Sequence, residues 1–174
     1  LAPVTAAWIN FQCTGDTVPD GYLADYGELH GDRSPGMIYG WDCDLTENAT
    51  PGAQSNAGCR DRGMSTDLIA DSPFHPDRRG LCTDQKAEWS INVRDGLYYV
   101  ELDFADTFST YTSTGCMLQG ESLGAISVGS SITTVVKWIT VTDQRIRFKG
   151  GFSSDCSINA IRIGLPPPSP PPLP

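Results

Sequence analysis

Basic residues are scarce. Twelve Lys plus Arg face 21 Asp plus Glu across 174 residues, for a formal net charge of -9. Nucleic-acid affinity comes mainly from Lys and Arg neutralising phosphates, so that partner class is excluded. An anionic membrane surface is excluded for the same reason. No apolar run reaches the roughly 18 residues that a spanning helix requires, so membrane insertion is not expected. Histidine occurs only twice, at His30 and His75, and neither belongs to an H-E-x-x-H pattern. There is no G-x-S-x-G elbow, no P-loop and no G-x-G-x-x-G after a strand, and the chain reads as not an enzyme. No C-x-x-C pair occurs, which removes the spacing of zinc and thioredoxin-type sites.

What is present is a globular composition, 39% hydrophobic and 19% charged, in a chain of single-domain length. Six cysteines, Cys13, Cys43, Cys59, Cys82, Cys116 and Cys156, are spread along an acidic chain, which predicts three disulfides in an oxidising compartment. Fifteen connectivities are open to six cysteines. Asn48-Ala49-Thr50 is an N-glycosylation sequon, followed directly by Pro51. The opening Leu1-Ala2-Pro3-Val4 has no Met and no basic-then-apolar leader, as expected of a processed or excised segment. The expected location is extracellular or at the cell surface.

Two zones are visible: a periodic zone, 1–164, and a proline-rich zone, 165–174, reading Leu-Pro-Pro-Pro-Ser-Pro-Pro-Pro-Leu-Pro. Proline fixes φ and has no N–H, so the second zone predicts a polyproline II spacer, stalk or ligand for an aromatic groove. In the first zone the period is two. Trp89, Ile91 and Val93 alternate with polar residues up to Asp95-Gly96, after which Tyr98, Val100, Leu102 and Phe104 alternate. This predicts a hairpin pairing Val93 with Tyr98, Ile91 with Val100 and Trp89 with Leu102. A second hairpin is expected from residues 137–141 and 145–148 around a turn at 142–144. It would bury Ile139, Val141, Ile146 and Phe148 and point Arg145, Arg147 and Lys149 outward. Further strands are expected at 7–11, 125–127, 133–136 and 157–163. Residues 13–82 are rich in Gly, Asp, Ser and Pro and read as long loops held by Cys43 and Cys59. Many short strands without an amphipathic helix predict an all-β sandwich stabilised by disulfides. Trp8, Trp89 and Trp138 lie in strands and are expected in its core.

Ile9-Asn10-Phe11-Gln12, Val18-Pro19-Asp20-Gly21-Tyr22, Asp25-Tyr26-Gly27 and Tyr39-Gly40-Trp41 occur in that order. Together they resemble the opening of a malectin-like, galactose-binding-like module of secreted bacterial and algal proteins. Arg60-Asp61-Arg62, the segment 89–104 and Ile158-Asn159-Ala160-Ile161-Arg162-Ile163 extend the likeness over most of 7–164. The resemblance implies a jelly-roll β-sandwich and sugar binding. Six cysteines depart from the cysteine-poor bacterial form. The Ser-Pro tail is similar to the hydroxyproline-rich glycoproteins of green algal and plant cell walls, which implies glycosylation at Pro167, Pro168, Ser169, Pro170, Pro171 and Pro172 beside Asn48.

A sugar site needs an aromatic face for the C–H side of the ring and polar side chains for the hydroxyls. Tyr22, Tyr26, Tyr39 and Trp41 are interleaved with Asp20, Asp25, Asp32 and Arg33. From these, Tyr22, Asp25, Tyr26, Arg33, Tyr39 and Trp41 are the candidate carbohydrate-binding residues; Tyr39 and Trp41 equally fit a packing role. No cofactor is called for. Related jelly rolls often carry a structural calcium, and Asp42 and Asp44 offer hard oxygens for one. Three readings follow. One is a non-catalytic module binding carbohydrate or cell-wall polysaccharide. Another is a structural subunit that self-associates into a filament or wall through its tail. The third is an accessory domain of a polysaccharide-degrading enzyme.

Overall fold

The computed structural model describes residues 6–33, 36–46, 58–59, 63, 65–76, 87–150 and 156–165. The sequon at Asn48, Cys82, the Arg60-Asp61-Arg62 motif and all the tail positions named above lie outside the described residues. Two sheets carry the fold. The first has five strands in the order β13 (Thr133–Val141), β8 (Gly96–Phe104), β15 (Ala160–Gly164), β1 (Ala7–Phe11) and β2 (Leu23–Asp25). The second has six: β11 (Glu121–Ser122), β10 (Met117–Leu118), β14 (Arg145–Lys149), β7 (Glu88–Asn92), β4 (Met37–Trp41) and β3 (Gly31–Arg33). Two short pairs, β9 (Tyr111–Ser113) with β12 (Ile126–Val128) and β5 (Gly58–Cys59) with β6 (Phe74–His75), flank them. The one helix among the described residues is a single turn, α1 (Leu68–Asp71), capped by the Asp67 carboxylate.

The expected all-β sandwich is the observed fold, but neither expected hairpin forms. β7 pairs with β14 and β4, whereas β8 pairs with β13 and β15. The chain therefore crosses from one sheet to the other at Asp95-Gly96, and again at 142–144. Alternation gives the parity of a strand and the side it buries, and both arrangements satisfy it. A hairpin puts the apolar rows side by side, while a sandwich corner puts them face to face. Here Trp89, Ile91 and Val93 meet Tyr98, Val100, Leu102 and Phe104 across the interior, all at 2% exposure or less. The two corners are joined to each other. The Val93 N–H donates to the Gln144 carbonyl at 3.0 Å, and the Gln144 N–H donates to Asp95 Oδ1 at 2.9 Å.

The expected strand at 133–136 and the first half of the second hairpin are one nine-residue strand, β13. Val141, Ile146 and Phe148 are buried as expected, and Ile139 is partly so. The segment read as loops contains β2, β3, β4, β5 and β6, with β4 well inside a sheet. Cys59 bonds to Cys13, not Cys43, and Cys116 bonds to Cys156. Cys43 is also disulfide-bonded, to a partner outside the described residues.

An aromatic cluster fills the centre. Phe11 of the first sheet lies 5.7 Å from Trp41 and 5.4 Å from Trp89 of the second, edge-on to both, and Phe74 stacks on Trp41 at 5.3 Å. Asn159 welds one end of the sandwich. Its side chain accepts from the Ala105 N–H and donates to the Ile69 carbonyl, and its carbonyl receives the Phe11 N–H.

Candidate functional site

The inward rows of the five-stranded sheet are consumed by the core, so the register fixes what the other side presents. On β13 the outward residues are Thr134, Val136, Trp138 and Thr140; on β8 they are Leu97, Tyr99, Glu101 and Asp103. Arg162 of β15 lies between Glu101 and Trp8 of β1. Trp8 and Trp138 are 49% and 50% exposed, so half of each indole is open to solvent on this face. Each indole has a tyrosine beside it. Trp138 stands opposite Tyr99 in register with its ring edge-on at 5.0 Å, and Trp8 lies 5.6 Å from Tyr22.

Local sequence places Tyr22 there. The Tyr22 N–H donates to the Pro19 carbonyl, closing a tight turn whose third residue, Gly21, has φ +83. That backbone conformation favours glycine. A Cβ on Gly21 would also touch the Trp8 ring at 3.4 Å. The Val18-Pro19-Asp20-Gly21-Tyr22 motif is thus the device that seats Tyr22 against Trp8.

Between the two aromatic pairs runs a polar ladder. Arg162 Nε lies 3.2 Å from Glu101 Oε2, and Arg162 Nη2 lies 2.9 Å from Asp103 Oδ1. The Thr134 hydroxyl donates to Asp103 Oδ1 at 2.6 Å, and the Tyr99 hydroxyl donates to Glu101 Oε1 at 3.0 Å. The bond to Glu101 raises the Tyr99 phenol above its ordinary range. Burial raises that of Tyr22, with Arg162 pulling the other way. Both phenols therefore stay neutral hydroxyls through the physiological range.

The six candidate residues named from the sequence do not form one exposed surface. Trp41 and Asp25 are fully buried and Tyr39 is 3% exposed. Oδ1 of Asp25 receives the Trp41 indole N–H at 2.8 Å and the Gly27 N–H at 2.9 Å, and Oδ2 receives the Trp89 indole N–H at 2.9 Å. Burial pushes this carboxyl up to about 6 despite the three donors. An indole with no exposed face cannot stack on a sugar, so Trp41 and Asp25 serve the core. Tyr39 donates to the Ala24 carbonyl, with the Arg33 guanidinium over its ring at 5.6 Å. Burial raises the Tyr39 phenol well above its ordinary value. Tyr26 is partly buried against the core, and the Gln12 side chain donates to its hydroxyl at 3.5 Å. Of the six, Tyr22 alone belongs to the exposed aromatic face.

Asp42 Oδ1 receives the Glu88 N–H, and Asp44 Oδ1 receives the Thr46 N–H and hydroxyl, which hold its carboxyl below the ordinary range. Among the described residues, no group of three or more His, Cys, Asp and Glu is placed to hold a metal.

Trp8, Trp138, Tyr99, Glu101, Asp103 and Arg162 were absent from the sequence-derived site, and the expectation that Trp8 and Trp138 are core residues is overturned. The signal existed. Trp138 has the opposite parity to Ile139 and Val141, and Trp8 the opposite parity to Ile9 and Phe11, so burial of one row sends the tryptophans outward.

No protein-family model and no curated protein matches this sequence. Solved structures do match. The chain is similar to Bacteroides uniformis beta-glucuronidase 2 covalently bound to cyclophellitol-6-carboxylate aziridine, with a TM-score of 0.56 and 14% identity, covering 93% of this chain and 18% of that one. It is also similar to a chain in the complex of the plant peptide RALF23 with FER and LLG2, with a TM-score of 0.54 and 12% identity, covering 97% of this chain and 41% of that one. It therefore spans less than half the length of either. These likenesses establish one thing, a β-sandwich of the jelly-roll type.

Proposed function

We propose that this chain is a non-catalytic, extracellular carbohydrate-binding module whose binding surface is the outer face of the five-stranded sheet. The observation that carries the reading is the pair of half-exposed indoles, Trp8 and Trp138, each beside a tyrosine and separated by the Glu101–Arg162–Asp103 ladder. Large aromatics are costly to leave in water, and a soluble domain that presents two on one flat face has a contact to make there. An indole face matches the C–H face of a pyranose ring, and neighbouring hydroxyls and carboxylates match its OH groups.

Three features support the rest. Glu101 and Asp103 are bound to Arg162 and Tyr99 or Thr134 rather than aimed at a cleft, as expected of a surface that binds without reacting. The disulfides fit an oxidising compartment outside the cell. No helix among the described residues is long and apolar enough to cross a membrane.

The test is affinity electrophoresis and tryptophan fluorescence titration against a panel of soluble polysaccharides, with the Trp8→Ala/Trp138→Ala double variant as comparison. The expected result is retarded migration of the native protein and at least a tenfold weaker association of the variant at unchanged far-UV circular dichroism. Equal binding by a folded double variant, or no retardation by any polysaccharide, overturns the reading.

A further inference from the structure

We infer that the ligand of the aromatic face is an extended, uncharged polysaccharide engaged at two separated points, and not a uronate, a sulfated glycan or a short sugar; this rests on the binding surface proposed above. The two indoles sit on β1 and β13, with β15 and β8 between them. Three inter-strand steps separate them laterally by about 14 Å. Trp8 is level with Glu101 and Val136, whereas Trp138 is level with Tyr99, one outward position along the strands. The line joining them therefore runs obliquely across the sheet. A single sugar ring covers one indole. A chain of several units is needed to reach the second, and the second contact is then intramolecular and gains by effective concentration.

Charge decides between glycan classes. The outward ladder contains one cation, Arg162, and two anions, Glu101 and Asp103. The guanidinium is already paired with two carboxylates, its Nε 3.2 Å from Glu101 Oε2 and its Nη2 donating to Asp103 Oδ1 at 2.9 Å. Asp103 is 1% exposed and is held from the other side by Thr134, so its pairing with Arg162 is built into the sheet. A ligand carboxylate or sulfate would have to displace one of these anions or lie beside it. The chain as a whole adds a net charge of -9 to the repulsion. Neutral hydroxyls meet no such penalty. They find acceptors on Glu101, which lies between the indoles, and hydroxyl groups on Tyr22 and Tyr99, which lie beside them.

The experiment uses two polymers on one backbone, hydroxyethyl cellulose and carboxymethyl cellulose, together with galactan against polygalacturonate, in titrations at low and high salt. Oligosaccharides of increasing length follow, from whichever neutral polymer binds. The expected result is at least tenfold tighter binding of a neutral polymer than of its carboxylated counterpart at low salt, with the gap narrowing as salt screens the repulsion. Affinity should climb with chain length, and the climb should vanish in Trp8→Ala and in Trp138→Ala taken singly. Glu101→Lys, which puts a second cation into the ladder, should gain affinity for the carboxylated polymers. Equal or tighter binding of the acidic polymers by the native chain, or a disaccharide bound as tightly as the polymer, overturns the inference and leaves the carbohydrate-binding reading standing. No binding to any member of either class overturns both.

Discussion

Trp41 and Trp89 face each other in register on β4 and β7, and both indole N–H groups donate to the same carboxylate, Asp25 of the opposite sheet. One acceptor group thus joins the two layers at the centre of the aromatic cluster. Substituting it with an amide keeps the shape and reverses the chemistry at one oxygen: a donor then faces an indole donor. Asp25→Asn should cost about 1–3 kcal/mol of unfolding free energy, the range for a buried donor left without its acceptor. Urea unfolding at neutral pH measures it, and an unchanged midpoint would show that the two indole bonds add nothing.

The same carboxyl sets a pH dependence. Burial raises its pKa from the ordinary 3.8 of an aspartate to about 6, with the Glu28 charge adding to the rise. Between these values the folded state holds the proton more tightly than the unfolded chain, so this group's contribution is greatest at the acidic end and is lost as pH rises from about 4 to about 6. The upper bound is about 3 kcal/mol. Thermal melts across that window should show the native chain losing stability with rising pH relative to Asp25→Asn. Parallel curves for the two proteins would remove Asp25 as the cause. The exposed carboxyls of Asp44 and Asp143 are held low by hydrogen bonds from Thr46 and Arg147, so their support is lost only at more acidic pH.

The four tryptophans should separate into two classes. Trp89→Ala or Trp41→Ala opens a cavity in the aromatic cluster and should cost about 3–5 kcal/mol. Trp138→Ala and Trp8→Ala, at half exposure, should each cost about 1 kcal/mol or less. Chemical denaturation of the four single variants reads the split. A large loss for Trp138→Ala would mean that its indole holds the sheet together rather than presenting a surface.

Gly40 stands between Tyr39 and Trp41 with φ +134, and a Cβ there would lie 2.7 Å from the Glu28 carbonyl and 2.8 Å from that of Leu29. The Trp41 N–H donates to Glu28 and the His30 N–H to Trp41 across this close approach. Gly40→Ala must strain the backbone and push the 28–30 segment away. A loss of about 1–3 kcal/mol is expected. Calorimetry on the variant checks it, and an unaltered melting temperature would mean the approach is not required.

Much of the fold was legible in the sequence, because burial on one side of a strand leaves a period of two. Ile9 with Phe11, Trp89 with Ile91, and Tyr98 through Phe104 all declare their parity. Pairing was not legible. Parity is silent on whether two apolar rows are neighbours in a sheet or opposite one another across a core, which is why β7 and β8 read as a hairpin. The Tyr-Gly-Trp motif was visible but its meaning was not, since the neighbour of Gly40 is the backbone of Glu28 and Leu29, about a dozen residues earlier. The site was legible in part. Composition identifies aromatic residues beside charged ones, but short sequence distance does not establish spatial grouping. The exposed face instead collects one to three residues from each of β1, β15, β8 and β13, which are close only in the folded sheet.

The bond from Val93 to Gln144 ties together the two places where the chain changes layers. β7 and β8 flank one crossing and β13 and β14 the other, so a single seam gathers the ends of four strands, two from each layer.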